Sequence, residues 1–426
     1  MQKRRILTTT AVAAAAFLAG CGGSDAGNQS PRVAFTRMVS FGDSLSDVGT
    51  YKTQLIGESG GGLYSVNGDF SKAGLPYTNW TQYLAATLQV APPCAAEVGL
   101  DAVADLSFLA QTPAPTANCF DFAQGGARVS QQPGPGNNLL YTMFGVTSGE
   151  LGQLTVPITT TVDGQPNQID NFFAAGNTFS ATDIVTVLGG GNDLFIDRAL
   201  VVDATVQQQL VAGGGTLTPA GIAAVAAAAD NAVGLMTQAG TELASAIKTK
   251  IIAGGATHVV VVNLPDVSLT PDNALWVTTG AGAVVEPIHA HLTLDMTNAF
   301  NAALQAGLFG AAATDSLAEI VWVDAFTQSD MQVLQPATYG LTNMTTPACD
   351  LTQTGVTVPG VGLVPLASSL FCTANSLIPV QTATVTDTDP TGVLNYLYAD
   401  TVHPTPFGYR LLAQYAGLQM AIKGWL

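Results

Sequence analysis

The hydrophobic positions follow two rhythms. Short apolar runs rich in β-branched side chains recur along the chain, and longer stretches between them return to apolar residues at helical spacing. Arg37 to Phe41, Ile184 to Leu188, His258 to Asn263 and Glu319 to Asp324 are the strand candidates. The third contains Val259 to Val262 in unbroken succession, which suits a strand buried on both faces. Asn79 to Leu88 predicts a helix. A long helix opens with Thr218 as N-cap and Pro219 at the first helical position, and it closes at Gly254-Gly255. Within it Ile222, Val225, Ala229, Val233, Met236, Leu243, Ile247 and Ile251 line one face. Another helix is expected over Ile288 to Leu308, with Leu292, Met296, Phe300 and Leu304 on one side, and a last one follows Thr405-Pro406. Alternating strands and helices predict an α/β fold with a parallel sheet covered by helices. Ligands of such sheets bind beyond the carboxyl ends of the strands, which points to the residues after Phe41 and after Leu188.

Residues 90–120 and 335–395 break the alternation. Both are rich in Pro, Thr, Gly and Val, and each holds a pair of cysteines, so disulfide-pinned loops or small β excursions are expected there. Cys94, Cys119, Cys349 and Cys372 allow three connectivities. The sequence-local pairs Cys94–Cys119 and Cys349–Cys372 are preferred, because each closes one of these loops. A zinc site is the rival, but no histidine lies near the cysteines and there is no C-x-x-C.

The N-terminal residues carry an address. Lys3, Arg4 and Arg5 precede an apolar stretch, Ile6 to Ala19, that is too short to span a bilayer. Leu18-Ala19-Gly20-Cys21 resembles a bacterial lipoprotein signal, cleaved before a cysteine that is then acylated; an ordinary secretory signal with a chance cysteine is the alternative. Gly22 and Gly23 follow with no Asp in the next position, and the resemblance then favours outer-membrane delivery. This reading makes residues 1–20 a signal peptide, 21–32 a flexible tether and 33–426 one catalytic domain. Export to an oxidising compartment suits disulfides. Membrane association would come through the lipid anchor, since the later Ala-rich run Ile222 to Ala229 is interrupted by Asp230 and Asn231. With 13 basic against 30 acidic side chains, the net charge of −17 argues against nucleic-acid binding.

Four blocks carry candidate chemistry: Phe41-Gly42-Asp43-Ser44-Leu45-Ser46-Asp47, Gly125-Gly126-Ala127, Gly189-Gly190-Gly191-Asn192-Asp193, and Asp400-Thr401-Val402-His403-Pro404. Ser44 follows a short strand where a turn can expose it; a loop serine capping a helix is the plain alternative. Only four histidines are available as its base. His258 opens a buried strand, where packing suits it. His289 and His291 lie two apart on an expected helix, point apart, and make poor metal partners. His403 has Asp400 three residues before it, and a carboxylate there can accept the imidazole Nδ1–H and set the tautomer. A hydrogen-bonded pair capping the last helix would use the same residues. Gly126, Asn192 and the Ser44 backbone N–H are candidate oxyanion donors. The glycines 189–191 would otherwise simply make a turn, and without a following Lys-Ser/Thr they do not form a phosphate loop. Gly57-Glu58-Ser59-Gly60-Gly61 matches G-x-S-x-G, but loop-like residues follow where a nucleophile elbow needs a helix.

Taken together, these blocks resemble the GDSL, or SGNH, hydrolase family, over most of residues 36–426. Its name-giving Ser, Gly, Asn and His match Ser44, Gly126, Asn192 and His403, with Asp400 completing a triad. The extended runs look most like the bacterial branch of secreted lipases, esterases, phospholipases and acyltransferases. The resemblance implies a three-layer α/β/α sandwich around a parallel sheet, with no metal or organic cofactor. Asp121 departs from the pattern, since Asn usually stands there in this branch. The expected activity is carboxylic-ester hydrolysis on a small-molecule or lipid ester through an acyl-enzyme on Ser44. Transfer to an alcohol acceptor, deacetylation of carbohydrate and a non-catalytic surface-binding lipoprotein are the rivals.

Overall fold

The computed structural model describes residues 32–100, 104–134, 156–162, 164, 166–202, 204–310, 319–358, 362–379 and 392–426. The expected signal peptide, Cys21 and all but the last residue of the tether lie outside them.

Four strands form a parallel sheet in the order β1 (Arg37–Gly42), β2 (Asp183–Leu188), β3 (Val259–Val262), β4 (Ile320–Val323). Their register sets Arg37 opposite Asp183 and Gly42 opposite Leu188, so both strands end level at the same sheet edge. The valine run is indeed central: Val259 faces Val185 on one side and Ile320 on the other. Successive side chains leave opposite faces of a strand. Val259 and Val261 therefore enter one core cluster, while Val260 and Val262 enter another.

Helices cover both faces. On the first lie α2 (Gly191–Ala199), α3 (Pro219–Ala246) and α4 (Leu292–Phe309), with Leu194, Val225, Met236, Met296 and Phe300 buried against the sheet. On the second lie α1 (Trp80–Thr87) and α5 (Pro406–Lys423), contributing Trp80, Leu84, Phe407, Tyr409 and Met420. Helices, sheet and helices make the three-layer α/β/α sandwich. Fully burying each Val, Leu or Phe is worth about 1.5–3 kcal/mol, so these two apolar layers hold the sheet between them.

The helix starts follow the caps written in the sequence. Asn79 accepts from Thr81 N–H and Gln82 reaches back to Asn79 N–H, a reciprocal box at α1. Thr218 caps α3 and Thr405 caps α5, each followed by proline. One expected boundary moves. The helix anticipated from Ile288 begins at Leu292, because the chain turns at Glu286 to His291 and His291 adopts a left-handed φ of 64°. His289 and His291 thus lie in a turn rather than on one helix; His289 faces Asp295 at 3.2 Å, and His291 is exposed. Ile222, placed on the apolar face of α3 by its spacing, is also exposed. Residues Pro219–Ile252 are long and apolar enough to cross a membrane by composition. One face packs on α4 and the sheet, however, and the other carries Asp230, Gln238, Glu242 and Lys248, the pattern of a helix covering a core.

The two irregular stretches each contain an antiparallel hairpin, Glu97–Leu100 with Gln111–Pro115 and Gly355–Val358 with Gly362–Pro365. Cys94 pairs with Cys119 and Cys349 with Cys372, the connectivity preferred from the sequence. Just past the first disulfide, Phe120 to Gln124 runs beside β1 as an irregular parallel edge. Ser40 N–H donates to Phe120 C=O at 3.0 Å, Phe122 N–H to Ser40 C=O at 2.8 Å, and Gln124 N–H to Gly42 C=O at 3.1 Å. This edge delivers Gly125-Gly126 to the carboxyl end of β1.

Candidate active site

Ser44 sits in the first turn beyond β1. Ser46 and Asp47 N–H both donate to Asp43 C=O at 3.0 Å, which curls the chain into one helical turn. Gly42 must be glycine for this turn to sit against the sheet: a Cβ there would lie 2.2 Å from the Leu188 carbonyl oxygen. Gln168 clamps Gly42 from outside, accepting from its N–H and donating to its C=O, both at 2.8 Å. Asp47 ties the turn to its neighbour. Its Oδ1 accepts from Gly49 and Thr50 N–H, and its Oδ2 accepts from Gly125 N–H at 2.9 Å.

His403 arrives from the loop before α5. Its Nε2 lies 2.8 Å from Ser44 Oγ, and its Nδ1 lies 2.7 Å from Asp400 Oδ2. Asp400 Oδ1 accepts from Val402 and His403 N–H at 2.8 and 2.7 Å, a tight turn that fixes the i, i+3 spacing. Asp400 is buried, which alone would raise its pKa, yet the His403 charge and these hydrogen bonds outweigh burial and hold it well below the usual carboxylate range. It stays ionised beside the imidazole. The Tyr64 ring packs 4.9 Å from the His403 ring centroid, closing the far side.

The third part of the site is the junction of the Gly126 turn with α2. Gly126 adopts φ +80° and Gly190, the N-cap of α2, adopts φ +111°, both left-handed conformations that favour glycine. Asn192, in the first turn of α2, donates Nδ2–H to Ala127 C=O at 2.8 Å, which aims the amide and leaves its second proton for a ligand. A buried ionic cluster locks the two pieces. Asp193 accepts from Arg128 Nε at 3.2 Å and from Val129 N–H at 2.9 Å, while Asp197 accepts from Arg128 Nη2 at 2.8 Å. Among the described residues the Ser44 and Gly126 N–H groups have no hydrogen-bond partner. Ser44, Gly126 and Asn192 thus converge with His403 and Asp400 at the carboxyl ends of β1 and β2, where an α/β sheet binds its ligands.

A cavity of about 420 Å³ opens from Ser44 and His403 along α2. Leu45, Phe195, Ile196, Leu264, Val267 and Leu412 give it a largely apolar wall. Asn192, Arg198, Asp272 and Gln332 are among the polar groups that also line it.

The GDSL-like Lipase/Acylhydrolase family model matches residues 38–416. The chain belongs to this family. No curated protein matches it at a comparable level. Membership brings an acylhydrolase scaffold and a general ester-hydrolase or lipase activity, and the matched span runs from β1 into α5, taking in all four sequence blocks.

The remaining candidates from the sequence fall elsewhere. Ser59 follows the short helix Gln54–Glu58 rather than a strand, so it is not on an elbow. His258 packs its ring edge-on against Phe35 and Trp425. Asp121, the departure from the family pattern, is buried in the edge beside β1; its Oδ1 accepts from Ala123 N–H at 3.0 Å. Burial, with the nearby Asp47 charge, pushes its carboxyl well above the usual carboxylate range. Among the described residues, no group of three or more His, Cys, Asp or Glu is arranged to hold a metal ion.

Sequence reasoning missed several contributors. Arg128 and Gln168 lack any local signal, since their partners lie tens of residues away. Ser369 is another: its N–H donates to Asp400 Oδ2 at 3.2 Å and its hydroxyl lies 3.3 Å from His403 Nδ1. Asp47 and Asp193 stood inside the conspicuous blocks, and their position there was the available hint.

Proposed function

We propose that this chain is an exported serine carboxylic-ester hydrolase, an esterase or lipase with phospholipid esters within reach, working through an acyl-enzyme on Ser44. The observation that carries the reading is the continuous chain Ser44 Oγ, His403 Nε2, His403 Nδ1, Asp400 Oδ2, with contacts of 2.8 and 2.7 Å. Ser44 Oγ attacks the ester carbonyl as His403 Nε2 takes its proton; Asp400 orients the ring and stabilises the imidazolium. The Ser44 and Gly126 N–H groups and the Asn192 amide receive the oxyanion. His403 then protonates the leaving alkoxide, the alcohol departs, and a water activated by the same imidazole releases the acyl group as a carboxylate. The apolar cavity along α2 supports an acyl chain as the occupant of the binding side.

Export is supported by the two disulfides, which form in oxidising compartments, and by the N-terminal pattern ending at Cys21. In this reading residues 1–20 are removed, Cys21 is acylated, 21–32 tether the protein to the outer membrane, and 33–426 form the catalytic domain. Hydrolysis of p-nitrophenyl esters from acetate to palmitate, by protein lacking Cys21, tests the activity. Ser44→Ala should fold and bind but lose turnover by several orders of magnitude. Equal rates for the two proteins would remove the reading.

A further inference from the structure

Ser369 lies in a tight turn, Ser369–Phe371, far in sequence from every block that suggested chemistry. It is fully buried. A buried hydroxyl needs a partner inside the protein. Its hydroxyl lies 3.3 Å from His403 Nδ1, the ring nitrogen that meets Asp400 Oδ2 at 2.7 Å, and it is also hydrogen-bonded to the Asp400 carboxylate, which takes the hydroxyl proton. Its backbone N–H reaches the same carboxylate oxygen at 3.2 Å. One residue therefore touches both members of the Asp400–His403 pair, from the side opposite Ser44.

The turn is held from several directions. Asn67 Nδ2 donates to Ser369 C=O at 3.2 Å and to Cys372 C=O at 3.0 Å. Gly62 N–H donates to Leu370 C=O at 2.9 Å. Cys372 is bonded to Cys349, whose N–H donates to Ala399 C=O at 2.9 Å, next to Asp400. The disulfide thus ties the Ser369 turn to Cys349, which is hydrogen-bonded to the segment that carries Asp400. The same Gly62 to Asn67 stretch supplies Tyr64, whose ring lies against His403.

We propose that Ser369 is a positioning residue: its hydroxyl is the second acceptor of the His403 Nδ1 proton, and its N–H anchors Asp400 Oδ2. Together they hold the imidazole in the tautomer with the proton on Nδ1. That leaves the Nε2 lone pair facing Ser44. The oxyanion donors and the apolar cavity are untouched by this contact, so its effect falls on proton transfer rather than on substrate binding. The inference rests on the reading of Ser44 and His403 as nucleophile and base.

The test compares full-chain wild type, Ser369→Ala, Ser369→Thr and Ser44→Ala. Alanine removes the hydroxyl without adding volume, and threonine keeps it. Two readouts are taken: kcat and KM for p-nitrophenyl butyrate, and the ¹⁵N chemical shifts of the His403 ring. Losing a hydrogen bond to a group that becomes charged is expected to lower kcat about tenfold in Ser369→Ala with KM hardly moved. The ring nitrogens should shift towards a mixture of tautomers, and Ser369→Thr should restore both. Wild-type kcat in Ser369→Ala overturns the proposal, as does a lower kcat with the ring tautomer unchanged. If wild type and Ser44→Ala hydrolyse the ester equally, it is the hydrolase reading that fails, and the ring shifts still report whether Ser369 sets the tautomer.

Discussion

Asp43 precedes the candidate nucleophile and is buried, with its Oδ1 accepting from Leu45 N–H at 3.0 Å. Burial pushes its carboxyl from 3.8 up to about 7, against the pull of that hydrogen bond and of the His403 charge. The consequence for stability has a definite sign. The unfolded chain gives up this proton first, so between about pH 4 and 7 the folded state binds more protons and the group's contribution falls as pH rises, levelling above about 7. Asp400, held low, acts in the opposite sense and loses its stabilisation as pH falls, but it is common to wild type and variant. Asp43→Asn should therefore gain in unfolding free energy relative to wild type from about pH 4 to 7 and hold a constant difference above it. Urea unfolding at half-unit steps decides this, and parallel pH curves would refute it. At this scale Ser44, His403, Asp400, Gly126 and Asn192 were legible because each stands in a compact block. Ser369 and Arg128 were not, because a lone serine or arginine has no signature until its distant partners are known.

At the scale of elements, two glycine turns set the geometry. Gly190 joins β2 to α2 with φ +111°, and a Cβ on it would lie 2.4 Å from the Phe300 ring of α4. Gly190→Ala combines a left-handed backbone penalty with overpacking of a fully buried ring. It should cost roughly 2–4 kcal/mol by denaturant unfolding. A variant as stable as wild type would show that the turn and α4 relax around the new methyl. The strands and long helices were readable from their period and caps, within one or two residues at most ends. The start of α4 was not, because the apolar spacing of Ile288 continues that of Leu292 although His291 interrupts the helix. The edge beside β1 also escaped notice. The apolar-polar alternation of Phe120-Asp121-Phe122 is too short to mark a strand, and the segment is recognisable as an edge only by its bonds to Ser40 and Gly42.

Across the whole molecule, the sandwich places Ser44, His403, Gly126 and Asn192, the candidate nucleophile, base and oxyanion donors, on separate segments, and the irregular stretches staple them together. The Cys349–Cys372 bridge spans 23 residues in sequence and joins the Ser369 turn to Cys349, whose N–H is hydrogen-bonded to Ala399 beside Asp400. In the chain-entropy account a loop of this size contributes about 3 kcal/mol by restricting the unfolded state. Replacing both cysteines by alanine should lower stability by that order and should lower kcat as well. Calorimetry beside ester turnover tests both. Full activity at unchanged melting temperature would mean the staple is dispensable.

Taken alone, the sequence determined the alternation of strands and helices, the helix caps and the residue types that meet at the site, because periodicity, capping and short motifs are properties of neighbouring residues; it favoured the loop-local cysteine pairs among three possible connectivities. Only the tertiary structure decided that His403 Nε2 lies within 2.8 Å of Ser44 Oγ, that Arg128 locks the Gly126 turn to α2, and that Ser369 backs the Asp400–His403 pair. Those distances depend on how the sheet brings segments tens to hundreds of residues apart to one end, and a one-dimensional pattern carries no record of that packing.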